Sequence, residues 1–347
     1  MKDSRKARDS YWDAVKGFAI LLVVTIHYLG GRTGDAGTYL CRQFASIAVF
    51  MFVFVAGYFT NMEGVKADAW GFVRRRLLRL FTPYAIWSAI TLLVFRPTDF
   101  LDFRILVVHD FLLGYGVSIG YYVMALAQLT ILTPFIARVM ADREKTMLVV
   151  AFLITLGSCL VNTLTASGFL PSFGLSVPVP YPGVFFAAWI FPYVLGIAAR
   201  RYRDELTAIV DRRQIVVIAV CVVMFLCVLA QNWVTRNVGF VSQPQFNLTG
   251  NLFAACCCLA AVGFAHKAGE NVFAVLGRGS FLVYLTHLKL FVVFRHLLPR
   301  WFGFRGGDMT ILPYLAGLAA VAFVYWMTVR MSEKMLPLGI RRLLAIS

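Results

Sequence analysis

His27 is the first residue that demands a chemical explanation, because it stands inside the apolar run GFAILLVVTIHY (17–28). A titratable side chain in such a run is costly to keep and marks a pathway or a site. Asp13 and Lys16 share the stretch. Eleven residues separate Lys16 from His27, three helical turns plus about 20°; fourteen separate Asp13 from His27, about 40° short of four turns. All three therefore project from one helix face, with His27 about 16 Å along the axis from Lys16. Such a row offers a proton acceptor at depth and a cation nearer the water. The competing reading makes Asp13 and Lys16 an i,i+3 anchor pair at the interface, and for these two the readings stand level; for His27 chemistry is favoured.

A second polar stripe lies late in the chain. Ser280, Tyr284 and His287 follow the i, i+4, i+7 pattern of one face. Tyr284 and His287 can move a proton or orient a substrate hydroxyl. A seam holding helices together explains the same pattern, but His27 gives the stripe a chemical partner, so function is favoured. A third feature is the run Arg74-Arg75-Arg76-Leu77-Leu78-Arg79. Arg76 and Arg79 share a helix face and can grip an anion bidentately, although on spacing alone a basic cytoplasmic loop is the better explanation. His109 and His266 fall at the borders of apolar runs and His296 in a basic cluster, all weaker candidates. The seven cysteines show no metal-ligand spacing with histidine and are expected as small apolar packers, with no metal site.

These residues need elements to hold them, and composition says which. The 347 residues are 60% hydrophobic and only 14% charged, where a soluble domain carries about 25% charged residues. Apolar runs recur from Trp12 to Arg330, which leaves no room for a separate soluble domain. The expectation is an all-α polytopic membrane protein, one domain over 1–347. Its ten predicted spans lie near 12–31, 42–61, 80–96, 120–140, 146–165, 184–200, 214–234, 248–266, 277–298 and 311–331. The first is retained, since no small-residue cleavage site follows it. The 102–117 stretch, with Asp102, Arg104, His109 and Asp110, reads as interfacial or re-entrant. The loop 166–183 is rich in Pro and Gly and reads as a connection.

The net charge of +16 does not point to nucleic acid, because Lys and Arg sit between apolar runs. With the N-terminus inside, 24 of the 33 Lys and Arg fall on inner segments and nine on outer ones, which predicts both termini in the cytoplasm. The cluster Lys289–Arg305 on the outer side is the exception.

Four motifs in order resemble the acyltransferase 3 family, integral-membrane enzymes that O-acetylate sugars and lipids in bacteria. The first is Lys16, ten residues, then His27, preceded by Trp12-Asp13. FVFVAGYF (52–59) is similar to the family's second-span run, with Ala56 where serine is usual. Arg76-Leu77-Leu78-Arg79 matches its Arg-x-x-Arg, and Gly279-Ser280-FLV-Tyr284-LT-His287 its late motif. The fourth span departs from the family's Trp-Phe-Leu and opens Gly120-Tyr121-Tyr122-Val123. The resemblance covers about residues 8 to 331.

That resemblance implies an acyl-CoA donor, most often acetyl-CoA, and transfer to a hydroxyl of a glycan or lipid-linked sugar at the outer face of a bacterial inner membrane. Lys16, Arg75, Arg76 and Arg79 are then the expected donor-binding set. His27 is the expected base on the acceptor hydroxyl or the carrier of an acyl-imidazole. Tyr284 or His287 is expected to donate to the oxyanion or steady the acceptor, with Asp13, Ser280 and Tyr122 orienting. Membrane lipids are expected partners, and the oligomeric state stays open. A proton-coupled exporter of a lipid-linked sugar is the main rival, weakened by the lack of an internal repeat. A non-catalytic assembly subunit of the same fold is the other.

Overall fold

The computed structural model describes residues 9–95, 102, 105–114, 117, 119–172, 182–237, 243–265, 271–297 and 308–346. Among them the chain is helical, with one isolated bridge between Thr33 and Met309. In chain order the α-helices are α1 (Ser10–Leu29), α2 (Ala36–Ala45), α3 (Ala48–Tyr58), α4 (Met62–Ala67), α5 (Ala69–Phe95), α6 (Tyr121–Asp142), α7 (Glu144–Ala166), α8 (Phe169–Ser172), α9 (Ile190–Arg201), α10 (Arg203–Asn237), α11 (Leu248–Gly263), α12 (Val272–Arg278), α13 (Ser280–Leu297), α14 (Ile311–Met335) and α15 (Leu338–Leu343).

Among the described residues, seven helical segments are long and apolar enough to cross a membrane, and up to eight if α12 and α13 form one bent span. The departures from ten have physical causes. Hydropathy averages over bends: α12 and α13 meet at 86° where one straight ninth span was expected. The sixth predicted span consists of two 3₁₀ turns followed by the 12-residue α9. The eighth is the 16-residue α11, about 24 Å long against a hydrocarbon core of about 30 Å. The second span starts earlier than expected, at Ala36, and breaks around Ser46 and Ile47 between α2 and α3. The third begins at Ala69, so the arginine run lies inside α5 rather than in a loop before it. Helix α10 absorbs residues expected in a cytoplasmic loop and kinks at Arg213. The 102–117 stretch contains a π-helix, Ile105–Leu112. Of the loop expected at 166–183, the described part includes the short helix α8, and residues 173–181 lie outside the described residues.

Helix α1 is central, packed against α2, α3, α12, α13 and α14. It starts cleanly because the Asp9 carboxylate accepts from the Tyr11 and Trp12 amides at 3.1 and 3.4 Å. It ends at Gly30, whose φ of +55° favours glycine. The α1–α12 crossing depends on two small residues. A Cβ at Gly17 would lie 1.8 Å from the Phe273 carbonyl oxygen, and one at Gly277 1.7 Å from that of Asp13. Small residues let helices in lipid approach backbone to backbone, and this contact fixes the Asp13–Lys16 turn against the start of the Ser280 stripe. Helices α7, α10 and α14 bury few of their apolar residues, as expected of surfaces facing lipid.

Candidate active site

Of the three ionisable residues of α1, Asp13 is paired to Lys16, and Lys16 and His27 line two different cavities. Lys16 Nζ pairs with the buried Asp13 carboxylate at 2.6 Å. Lys16 also lines a cavity of about 280 Å³ together with Arg76, Arg79, Tyr122, Ser280 and Tyr284. His27 lines a second cavity of about 300 Å³, with Arg42, Ser46, Tyr121, Gln243, Gln245 and, again, Tyr284. Tyr284 is thus the wall common to a cation-rich chamber and a histidine-bearing one.

Arg76 is held in the first cavity entirely by neutral groups. Its Nη1 donates to Thr60 Oγ1 at 2.8 Å and to the Tyr193 hydroxyl at 3.3 Å, and its Nη2 donates to the Ala56 carbonyl at 2.8 Å. The guanidinium also sits 5.6 Å from the Phe72 ring centroid and 5.7 Å from that of Tyr193. Tyr193 joins the Thr60 and Thr133 hydroxyls at 2.9 and 2.8 Å. No carboxylate among the described residues pairs with Arg76, so its charge stays available to an anionic ligand. Ala56 serves through its carbonyl, a service that does not depend on the side chain there. Arg79 lies on the exposed edge of the same chamber.

Arg75 stands apart from the other expected cations. It pairs with Asp68 at 3.2 Å, the side chains being 61% and 55% exposed, and it lines neither cavity. Neighbouring residues on a helix diverge by about 100°, which directs Arg75 to Asp68 while Arg76 lines the chamber.

In the second site the His27 and His287 rings lie 5.2 Å apart, tilted by 45°. His287 is fully buried. Its Nδ1 lies 2.8 Å from the Val283 carbonyl and 3.1 Å from that of Tyr284. Both neighbours only accept, which assigns the N–H to Nδ1 and leaves Nε2 as an acceptor. Nε2 is buried with no partner among the described residues. A neutral His287 so arranged cannot donate to an oxyanion; it can accept from the imidazole beside it. The Tyr284 hydroxyl donates to the Ile119 carbonyl, so its proton is likewise committed, and its ring meets Tyr122 edge-on at 5.4 Å.

A family comparison bears on this arrangement. The profile of the acyltransferase domain matches residues 9–330. The chain belongs to the acyltransferase 3 family. No curated protein and no solved structure matches it.

As an acyltransferase 3 protein, the chain brings together nine of the ten sequence-predicted site residues, Asp13, Lys16, His27, Arg76, Arg79, Tyr122, Ser280, Tyr284 and His287, around two adjoining chambers, and leaves Arg75 outside. The sequence reading missed Arg42, Ser46, Tyr121, Gln243 and Gln245 in the second chamber and Thr60 and Tyr193 beneath Arg76. Arg42 is one of the nine outer Lys and Arg, which the charge bias already accounts for. The others are neutral side chains of a kind common in any helix bundle. Of the weaker histidines, His109 pairs with Asp110 at 2.8 Å and His296 is exposed, while His266 lies outside the described residues. All seven cysteines are free, and no metal-ligating cluster occurs among the described residues.

Proposed function

We propose that this membrane acyltransferase moves an acetyl group from acetyl-CoA to a hydroxyl of a glycan or lipid-linked sugar at the outer face of a bacterial inner membrane. The observation that carries this reading is the pair of chambers meeting at Tyr284, one with three cations and the other with His27. Lys16, Arg76 and Arg79 suit the phosphates of a donor entering from the cytoplasm, where the charge bias puts the arginine run.

His27 takes the proton of the acceptor hydroxyl, whose oxygen attacks the thioester carbonyl. The new C–O bond forms as the C–S bond breaks, and the thiolate recovers the proton from the imidazolium. His287, through its Nε2 lone pair, orients the His27 ring and favours its protonated form during transfer. Tyr284, shared by both chambers, sets where acceptor and thioester meet.

The test is transfer of labelled acetyl from acetyl-CoA into membrane glycans and lipids. His27→Ala and Arg76→Ala are each expected to remove it. Acetylation unaffected by either substitution would sink the mechanism, and movement of a sugar substrate without acyl incorporation would restore the exporter reading.

A further inference from the structure

The second chamber contains a cation that the transfer chemistry does not use. Arg42 projects from α2, and its Nε donates to the Gly30 carbonyl at the end of α1. Its Nη groups make no hydrogen bond or ion pair among the described residues. Ser46, one turn further along, is 4% exposed, and its buried hydroxyl has no partner there. Both side chains line the chamber that holds His27, as do Gln243 and Gln245. A guanidinium in a membrane span without a counter-ion is expensive, and a buried hydroxyl without a partner is too. The amides, hydroxyl and guanidinium together form the kind of polar surface that recognises a sugar. The two Nη groups form a planar fork matched to a carboxylate or phosphate. The donor's phosphates do not answer this demand, because Lys16, Arg76 and Arg79 serve the chamber on the other side of Tyr284.

We infer that the acceptor is an anionic saccharide, and that Arg42 binds its carboxylate or phosphate while Ser46 holds a ring hydroxyl, presenting the neighbouring hydroxyl to His27. The inference rests on the acyl-transfer reading and adds to it the class of acceptor. The chamber, about 300 Å³, lies at the small end of ligand sites and suits one saccharide unit at a time.

The test supplies labelled acetyl-CoA to membranes of the producing cells and resolves the labelled products by anion exchange. Each sample is run before and after mild acid, which strips a lipid pyrophosphate but leaves a uronate or phosphorylated sugar charged. Retained label is expected, and its behaviour after acid tells which anion Arg42 holds. Arg42→Gln is expected to lower incorporation about ten- to hundredfold, the range for losing charge-assisted hydrogen bonds, with Arg42→Lys between. Label confined to neutral products, or full incorporation by Arg42→Gln, overturns the inference.

A second measurement does not depend on the donor. Thermal stabilisation of the purified full chain by glucuronate and by glucose 1-phosphate is compared with that by glucose. Wild type is expected to favour at least one of the two anionic sugars, and Arg42→Gln to lose the preference while Arg76→Gln keeps it. Equal stabilisation by all three sugars in wild type overturns the inference even where no acetyl transfer is seen, whereas absent transfer with the preference intact counts against the donor reading alone.

Discussion

Removing the Tyr193 hydroxyl separates how Arg76 is held from what Arg76 does. Tyr193 is fully buried on α9, and its hydroxyl ties three elements together: Thr60 after α3 at 2.9 Å, Thr133 of α6 at 2.8 Å and Arg76 of α5 at 3.3 Å. In Tyr193→Phe no donor is stranded, because Thr60 and Thr133 also reach the carbonyls of Ala56 and Leu129 at 2.9 and 2.8 Å. Arg76 keeps Thr60, the Ala56 carbonyl and both aromatic faces. Hydrogen bonds between membrane helices contribute about 0.6 kcal/mol each and at most about 1.7. Two good bonds and one long one therefore make the expected loss about 1–2 kcal/mol, measured as the shift in reversible unfolding by detergent titration. The KM for acetyl-CoA is expected to rise severalfold, well short of the effect of Arg76→Ala, with kcat nearly unchanged. A KM change as large as that of Arg76→Ala, or no change in stability, would refute the claim that Tyr193 positions the arginine through a shared hydroxyl.

Three further outcomes follow from the same geometry. His287→Ala is expected to lower kcat about ten- to hundredfold with the acetyl-CoA KM unchanged, since it removes an acceptor beside His27 rather than a donor-binding group; an effect on KM alone would contradict that role. Arg75→Ala is expected to match wild type in transfer assays, because its partner is the exposed Asp68, whereas Arg76→Ala and Arg79→Ala raise the donor KM. Gly277→Val is expected to abolish folded, monodisperse protein, as a Cβ there would overlap the Asp13 carbonyl oxygen at 1.7 Å; normal yield would show that α12 can slide away from α1.

The central residues were legible in the sequence because lipid makes them conspicuous. A histidine, a lysine and an aspartate in one apolar run, and a Ser-Tyr-His stripe in another, are costly enough that helical periodicity alone puts each set on one face. The two stripes meet in the structure, with the His27 and His287 ring centroids 5.2 Å apart. What hydropathy could not express was shape. An average over a window registers neither the 86° bend between α12 and α13 nor the break between α2 and α3. Nor does hydropathy mark that α5 starts at Ala69 rather than near residue 80, while the helical step of about 100° that turns Arg75 away from Arg76 is implicit in the i,i+3 spacing itself. Arg42 was hidden for the opposite reason: an outer-side arginine already had an explanation in topology. Thr60 and Tyr193 carried no signal, since a threonine hydroxyl in a helix usually bonds its own backbone and a single tyrosine is an ordinary packing residue.

The division of labour between the chambers also bears on whether the acyl group rests on the enzyme. An acyl-imidazole requires His27 to reach the thioester before the acceptor does. Yet His27 lines the chamber of Arg42, Ser46 and the two glutamines, not that of Lys16, Arg76 and Arg79, and Tyr284 stands where the two adjoin. A base on the acceptor's side suits direct attack: the hydroxyl is deprotonated in one chamber and meets the carbonyl at the boundary. Under the proposed function, protein incubated with labelled acetyl-CoA and no acceptor should therefore carry no label after rapid quenching and digestion, and kinetics should show a ternary complex rather than ping-pong behaviour. Label recovered on the peptide containing His27, and lost in His27→Ala, would show that the imidazole crosses the Tyr284 boundary and accepts the acyl group itself.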